Sequence, residues 1–206
     1  ISLGLPDSLL GSAWPVIHQE LQVPLSYAGA VTMIISFGTI CSSLMSERLT
    51  RKLGVNIVTV CSVLLTAIAL YGFSTASAFW MLCLWGIPYG LGAGAIDAAL
   101  NNYVALHYNS RHMSWLHCFW GVGTIISPYI MSHALTTSVW QNGYRMVFFL
   151  QIGITVILFV TLPVWKVNRK EDEQKAEQSA VIGIHGALKI KGVPQLLLGF
   201  FSYCAL

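Results

Sequence analysis

Charged residues are scarce in this sequence: Asp, Glu, Lys and Arg make up only 9% of its 206 residues, whereas 55% are hydrophobic. Soluble domains carry about 25% charged residues, so this composition excludes an ordinary soluble protein. We therefore predict an all-α integral membrane protein. The five cysteines are scattered through apolar runs without metal-type spacing, and we interpret them as small apolar side chains rather than disulfides or metal ligands.

Several signatures of chemistry are also missing. No Gly-rich loop ends in Lys followed by Ser or Thr, which argues against ATP-driven transport within this chain. No Gly-x-Ser-x-Gly elbow and no His-Glu-x-x-His pair occurs, so the corresponding hydrolytic sites are excluded. No basic face supports nucleic-acid binding. The sequence therefore predicts no enzyme, no cofactor, no metal and no nucleic-acid partner.

Apolar runs long enough to cross a lipid bilayer recur along the chain, since a helical span needs about 20 largely apolar residues. The predicted spans cover 1–19, 26–47, 54–74, 77–105, 113–134 and 144–166, and a seventh begins near 193. Both ends of the sequence lie inside such runs. We therefore expect the chain to be a piece of a longer protein.

The basic residues indicate how these spans are oriented. Ten of the eleven Lys and Arg residues fall on one predicted side of the membrane, and only Arg145 falls on the other. By the positive-inside rule, the 2–3, 4–5 and 6–7 loops are predicted to be cytoplasmic in a multi-pass protein of the plasma membrane, the inner membrane of the cell. Residues 167–191 are interpreted as a cytoplasmic linker, or alternatively a membrane-surface helix, between a bundle at 1–166 and the start of a second at 192–206.

Two carboxyl groups lie where a charge is costly. Asp7 and Asp97 each fall inside an apolar run, and a charge at the centre of a membrane helix costs at least ~2.5–3.5 kcal/mol on insertion scales. We predict that both take part in proton coupling or in binding a polar solute. The alternatives are local capping for Asp7 and a purely structural role for Asp97.

Span four combines a row of glycines with polar side chains. Gly86, Gly90 and Gly94 recur every four residues, and such small residues let a neighbouring helix approach closely. Asp97 follows Gly94 by three residues and Asn101 follows Asp97 by four, so both acid and amide project near this face. We predict a packing groove that leads to an Asp–Asn pair, with Asn101 as a substrate contact.

Aromatic and imidazole groups accompany the acids in spans one and five. Trp14 shares a predicted stripe with Asp7, and His117 and Trp120 follow helical spacing in span five. We predict that these three side chains contact the substrate, although an interfacial anchor at Trp14 and a hydrogen-bonded core role for His117 stay open. Counting 1.5 Å per residue places Asp7, Asp97 and His117 between the midplane and the cytoplasmic side.

The segment 42–54 resembles the basic signature between spans two and three of the major facilitator superfamily. Arg48, Arg51 and Lys52 retain its basic cluster, whereas Ser42 and Ser46 stand in place of its Gly and Asp. The resemblance implies a twelve-span fold built from two six-helix bundles around a midplane site. This chain would supply the N-terminal six-helix bundle and the start of helix seven, and the three basic residues would form a cytoplasmic gate.

Within the superfamily, the chain resembles the fucose–galactose–glucose:proton symporter family. Asp7 is followed by Leu9 and Leu10 in span one, and Asp97 is followed by Asn101 in span four. The resemblance implies proton-coupled symport of a small polar solute such as a monosaccharide, driven by the proton gradient without a cofactor. The implied partners are the solute, protons, the lipid bilayer and the C-terminal half of the same protein.

Other functions stay open at this point. The stretch from Gly121 to Pro128 partly resembles the superfamily's antiporter motif, which favours a drug:proton antiporter as the alternative. A nutrient sensor with a transporter fold, or an intramembrane enzyme, are alternatives from other classes. The long linker and the missing serine elbow argue against the enzyme.

Overall fold

The computed structural model describes residues 2–162, 189–190 and 192–204, which form helices and contain no strand. The helices are α1 Gly4–Asp7, α2 Leu9–Glu20, α3 Tyr27–Leu53, α4 Val55–Ser74, α5 Phe79–His107, α6 Ser110–Thr137, α7 Trp140–Thr161 and α8 Val193–Cys204. The predicted all-α fold is confirmed. Helices α1 and α2 together form span one, and α3 to α7 follow as spans two to six.

The chain divides into two compact units, Ile1–Val167 and Asn168–Leu206. The first unit contains α1 to α7, and α8 belongs to the second. The linker predicted at 167–191 lies, apart from residues 189–190, outside the described residues. Its cytoplasmic location and the proposed domain bounds therefore stay predictions.

Several predicted span boundaries differ from the structure. Span five covers 110–137 rather than 113–134, and span six begins at 140 rather than 144. Span one is interrupted at Ser8, which separates the single turn of α1 from α2. Helix α3 continues to Leu53, so the predicted end of span two at 47 is too early, and the basic cluster lies on the last turns of α3 rather than in a loop. Hydropathy marks only the apolar part of a helix, whereas its backbone hydrogen bonds continue into a polar segment. Gly54, with a φ of 87°, alone separates α3 from α4.

Four helices among the described residues are both long and apolar enough to cross a membrane, namely α3, α4, α5 and α7. Helix α6 has 28 residues but is less apolar, since it carries His112, His117 and His133. Span one is divided into two shorter helices. The two least apolar predicted spans are therefore those that carry Asp7 and His117, as expected of helices that line a polar site.

The predicted glycine groove of α5 is confirmed, and α3 fills it. A Cβ atom added at Gly90 would lie 2.3 Å from the backbone oxygen of Ile35, and one added at Gly94 would lie 2.3 Å from that of Thr39. Real Cβ atoms essentially never approach so closely. The two backbones can therefore pack at this distance only because these positions have no side chain.

Serine hydroxyls of α3 reinforce this contact. Ser43 Oγ donates to the backbone oxygen of Gly94 and Ser46 Oγ to that of Ala95, both over 3.1 Å, and Ser42 donates to Leu91 one turn earlier. Hydrogen bonds between membrane helices contribute about 0.6 kcal/mol each on average. The serines at 42 and 46, which depart from the superfamily signature, thus attach α3 to α5.

Polar side chains attach span one to α7 near both ends of the span. Glu20 Oε2 accepts a hydrogen bond of 2.6 Å from Trp140 Nε1. Toward the start of the chain, Gln151 Nε2 donates to Ser2 Oγ over 2.8 Å and to Thr66 Oγ1 over 3.0 Å. Neither set of contacts is local in sequence. Span one is therefore held against α7 on either side of its break.

Candidate functional site

Asp7 joins three of the predicted spans through its carboxylate. Its Oδ1 accepts a hydrogen bond of 2.8 Å from Tyr89 Oη on α5, and its Oδ2 accepts one of 2.9 Å from Trp120 Nε1 on α6. Neither donor carries a charge, so the arrangement is not a salt bridge. The side chain of Asp7 is nevertheless exposed on one face of the bundle. We call Asp7, Tyr89 and Trp120 the aspartate brace.

A close approach of two backbones positions this brace. Gly4 packs against α6 so tightly that a Cβ atom there would lie 2.1 Å from the backbone oxygen of Trp120. Asp7 follows one helical turn later and therefore faces the same part of α6. Ser8 Oγ also donates to the backbone oxygen of Thr124 over 3.0 Å. The break in span one thus lies where its polar groups bind α6.

Tyr89 is the member of the brace that sequence reasoning missed. Its side chain is buried, with 5% exposed, and its ring packs edge-on against Phe73 at 6.2 Å between centroids. A buried tyrosine hydroxyl usually has a hydrogen-bond partner. That rule, applied to a tyrosine next to Gly90 in an apolar run, is the signal that would have indicated a polar partner nearby.

Asp97 lies in a second group on α5. Its Oδ1 accepts a hydrogen bond of 3.1 Å from Asn101 Nδ2, which confirms that the two side chains share a face. Among the described residues, Asn101 Oδ1 is buried without a partner. His117 on α6 lies within electrostatic range of Asp97. Asp97, Asn101 and His117 therefore form an acid–amide–imidazole group, which we call the Asp97 group.

The brace and the Asp97 group lie at different levels of the bundle. Eight residues of α5 separate Tyr89 from Asp97, which corresponds to about 12 Å along the helix axis. On α6, His117 precedes Trp120 by three residues, or about 4.5 Å. Trp120 is 45% exposed, and Asp7 and Asp97 interact electrostatically. The two groups therefore form one connected polar face, whose predicted depth in the membrane stays a prediction.

Trp14 is not brought to this face. The indole is buried, with 4% exposed, in the apolar core, and its Nε1 donates to the backbone oxygen of Leu25 over 2.8 Å. Asp7 and Gly11 of the predicted stripe still line one cleft, whereas Trp14, further along α2, is covered by the turn before α3. Trp14 is therefore a structural contact between α2 and the turn that contains Leu25.

The predicted gate residues are exposed at the end of α3. Arg51 Nη2 forms an ion pair of 2.8 Å with Glu47 Oε1, one turn earlier on the same helix. Exposed pairs of this kind contribute about 0.3–0.5 kcal/mol, so the pair organises the surface without anchoring the bundle. Arg48 and Lys52 lie beside it, also exposed. The gating role of the three residues stays a prediction.

Comparison with known proteins relates the whole chain to one family. The family model of the Major Facilitator Superfamily matches residues 1–206. Bypass of stop codon protein 6 of Saccharomyces cerevisiae is 24% identical over 161 residues, which cover 76% of this chain and 32% of the yeast protein. The chain thus spans about a third of that relative's length, and the relative's name specifies no solute.

Proposed function

Because the chain belongs to the Major Facilitator Superfamily, whose members are secondary transporters of small solutes across lipid bilayers, we propose that it is part of a proton-coupled symporter. The proposed solute is a small polar molecule of the monosaccharide class. Transport would follow alternating access of two bundles about a midplane site. We further propose a plasma-membrane location with the 2–3, 4–5 and 6–7 loops in the cytoplasm. The observation that carries the proposal is the aspartate brace on an exposed polar face.

The chemistry of the brace links a proton to helix contacts. An indole N–H can only donate, whereas a tyrosine hydroxyl can donate or accept. A proton on Oδ2 of Asp7 therefore displaces Trp120, while a proton on Oδ1 is accommodated when Tyr89 turns from donor to acceptor. In either case Asp7 loses its negative charge, so the hydrogen bond from Trp120 is no longer charge-assisted, and the contact between span one and α6 would weaken. That contact is one that a conformational change could release.

The Asp97 group would provide the second proton site and the solute contacts. Asp97 is the proposed proton-linked group, in electrostatic contact with His117. The unpartnered Oδ1 of Asn101 would accept a hydrogen bond from a solute hydroxyl. Trp120 and His117 are exposed on the same face and would contact the ring of the solute. Trp14 is left out of the proposal because it is buried elsewhere.

The test uses the full-length protein in proteoliposomes without a pH gradient. Hexoses and 6-deoxyhexoses are added one at a time while external pH is recorded. We expect alkalinisation with at least one sugar and its loss in Asp97→Asn. Glu173→Gln is the matched control, because it removes an acid that lies in the predicted linker and outside the apolar runs. It should leave alkalinisation intact.

Two results would contradict the proposal. Alkalinisation that persists in Asp97→Asn would remove that residue from the coupling mechanism. The absence of any pH change with every sugar would reject sugar symport. Acidification on addition of amphiphilic drugs would then identify a drug:proton antiporter, and ligand binding without flux would identify a sensor.

A further inference from the structure

A cleft of about 330 Å³ lies inside the first unit, next to Asp7 and apart from the Asp97 group. It is lined from span one by Asp7 and Gly11, from α3 by Ser36, from α4 by Phe73 and from α7 by Tyr144. Ser36 lies in the first half of α3, and Tyr144 lies at the start of α7. The cleft is therefore near the end of the bundle opposite to the basic end of α3.

The lining of the cleft has a distinctive chemistry. Asp7 is the only charged residue among the described residues that line it, and no Lys, Arg or His is present there. Hydroxyl groups come from Thr32, Ser36 and the two tyrosines, and the ring of Phe73 provides an aromatic wall. A ligand with its own negative charge would meet Asp7 without any compensating cation, which is costly in a partly apolar site.

One hydroxyl group in the cleft lacks a partner. Tyr144 is only 2% exposed, and among the described residues its Oη makes no hydrogen bond. Buried polar groups are nearly always hydrogen-bonded, and leaving one unpaired costs about 1–3 kcal/mol. The carboxylate of Asp7 also has lone pairs beyond the two that Tyr89 and Trp120 occupy. The carboxylate is therefore available to a bound polar molecule, and the Tyr144 hydroxyl is a fully buried donor that a ligand in the cleft would satisfy.

We propose that this cleft binds a neutral, hydroxyl-bearing solute of monosaccharide size, as a site separate from the Asp97 group. The inference rests on the proposed function and names a further binding position for the same class of solute. A volume of 330 Å³ is at the lower end of the roughly 300–1,000 Å³ typical of ligand pockets, which suits a small solute. Hydroxyls of the solute would bind Tyr144 and Asp7, and its C–H face would pack on Phe73.

The first experiment measures equilibrium binding of radiolabelled D-galactose to the full-length protein in lipid nanodiscs. Gly11→Leu fills the cleft, since a Cβ atom at Gly11 meets nothing within 4 Å. Gly153→Leu is the matched control, because a Cβ atom there also meets nothing and the residue lies outside the cleft lining. Because the Asp97 group would still bind the sugar, we expect two components in the binding isotherm, and the component of the cleft should weaken about tenfold or more in Gly11→Leu. The control should change it by less than about twofold.

A second variant and a competitor make the test independent of folding defects. Tyr144→Phe removes only a hydroxyl that has no partner among the described residues, so the melting temperature should not fall while binding weakens about threefold to tenfold. Unlabelled D-glucose should displace the label, and D-glucuronate should not. Unchanged binding in both variants, or equal competition by D-glucuronate, would overturn the cleft proposal.

Uptake of the same sugar separates this inference from the proposed function. Proton-coupled uptake and binding that are unchanged in Gly11→Leu would reject the cleft and leave the symporter standing. Binding that requires the cleft, without proton-coupled uptake, would support the cleft and reject symport. No binding of D-galactose or D-glucose to the wild-type protein would overturn the cleft proposal, whereas the symporter proposal is decided by the full sugar panel.

Discussion

Asp7 and Asp97 are two exposed acids in apolar runs, yet their surroundings differ. Asp97 is hydrogen-bonded to Asn101, four residues further along the same helix. Asp7 is hydrogen-bonded to Tyr89 and Trp120, which lie 82 and 113 residues away on two other helices. The hydrogen bond of Asp97 therefore stays within one helix, and only its electrostatic interaction with His117 reaches another helix. Asp7 connects three helices, so a change at Asp7 must affect packing as well as proton binding.

The largest expected effect separates these two roles. Both Asp7→Asn and Asp97→Asn should reduce proton-coupled uptake to the level of protein-free liposomes. Only Asp7→Asn should also destabilise the fold, by about 1–3 kcal/mol, since the hydrogen bonds that reach Asp7 from Tyr89 and Trp120 on two other helices lose their charged acceptor. Thermal unfolding in detergent measures the difference. Equal loss of stability in the two variants would show that the acids are structurally equivalent.

A methyl group at Gly4 should break the brace without touching either acid. A Cβ atom at this position would lie 2.1 Å from the backbone oxygen of Trp120, so Gly4→Ala must push α1 away from α6. We expect a loss of about 1–3 kcal/mol in the free energy of unfolding, as for other overpacked sites.

Gly121→Ala is the matched control, because a Cβ atom there meets nothing within 4 Å although the residue follows Trp120 directly. It should unfold at the wild-type temperature. If Gly4→Ala is equally stable, the contact between α1 and α6 is looser than the structure indicates.

The smallest expected effects come from removing one hydrogen bond of the aspartate brace or one of the Asp97 group. Tyr89→Phe removes one donor of the brace and should cost about 0.6–1.7 kcal/mol, the range measured between membrane helices. Asn101→Ala removes a local pair on one helix and should cost only about 0.2–0.5 kcal/mol. Tyr129→Phe, at a tyrosine that is 74% exposed, should change nothing and serves as the control. If Asn101→Ala lowered the free energy of unfolding more than Tyr89→Phe, Asp97 rather than Asp7 would be the acid that stabilises the fold.

Most of the fold could be predicted from the sequence. The spans followed from runs of apolar residues, and the close approach of a neighbouring helix to α5 followed from the four-residue recurrence of Gly86, Gly90 and Gly94. That this helix is α3 came only from the structure. The ends of helices were predicted less well. Helix α3 extends six residues past the predicted end at 47, because hydropathy reports where a helix meets lipid and not where its hydrogen bonds stop.

The sequence by itself determined the properties that lie within a single helix. These are which runs are apolar, where small residues recur, and that Asp97 and Asn101 share a face. Helical geometry sets those relations at a spacing of four residues, whatever the rest of the molecule does. The tertiary structure decided the partners of Asp7, the part played by Tyr89 and the burial of Trp14. These depend on which faces of separate helices meet, and that is set by packing over the whole bundle, including the backbone approach at Gly4 and the break at Ser8.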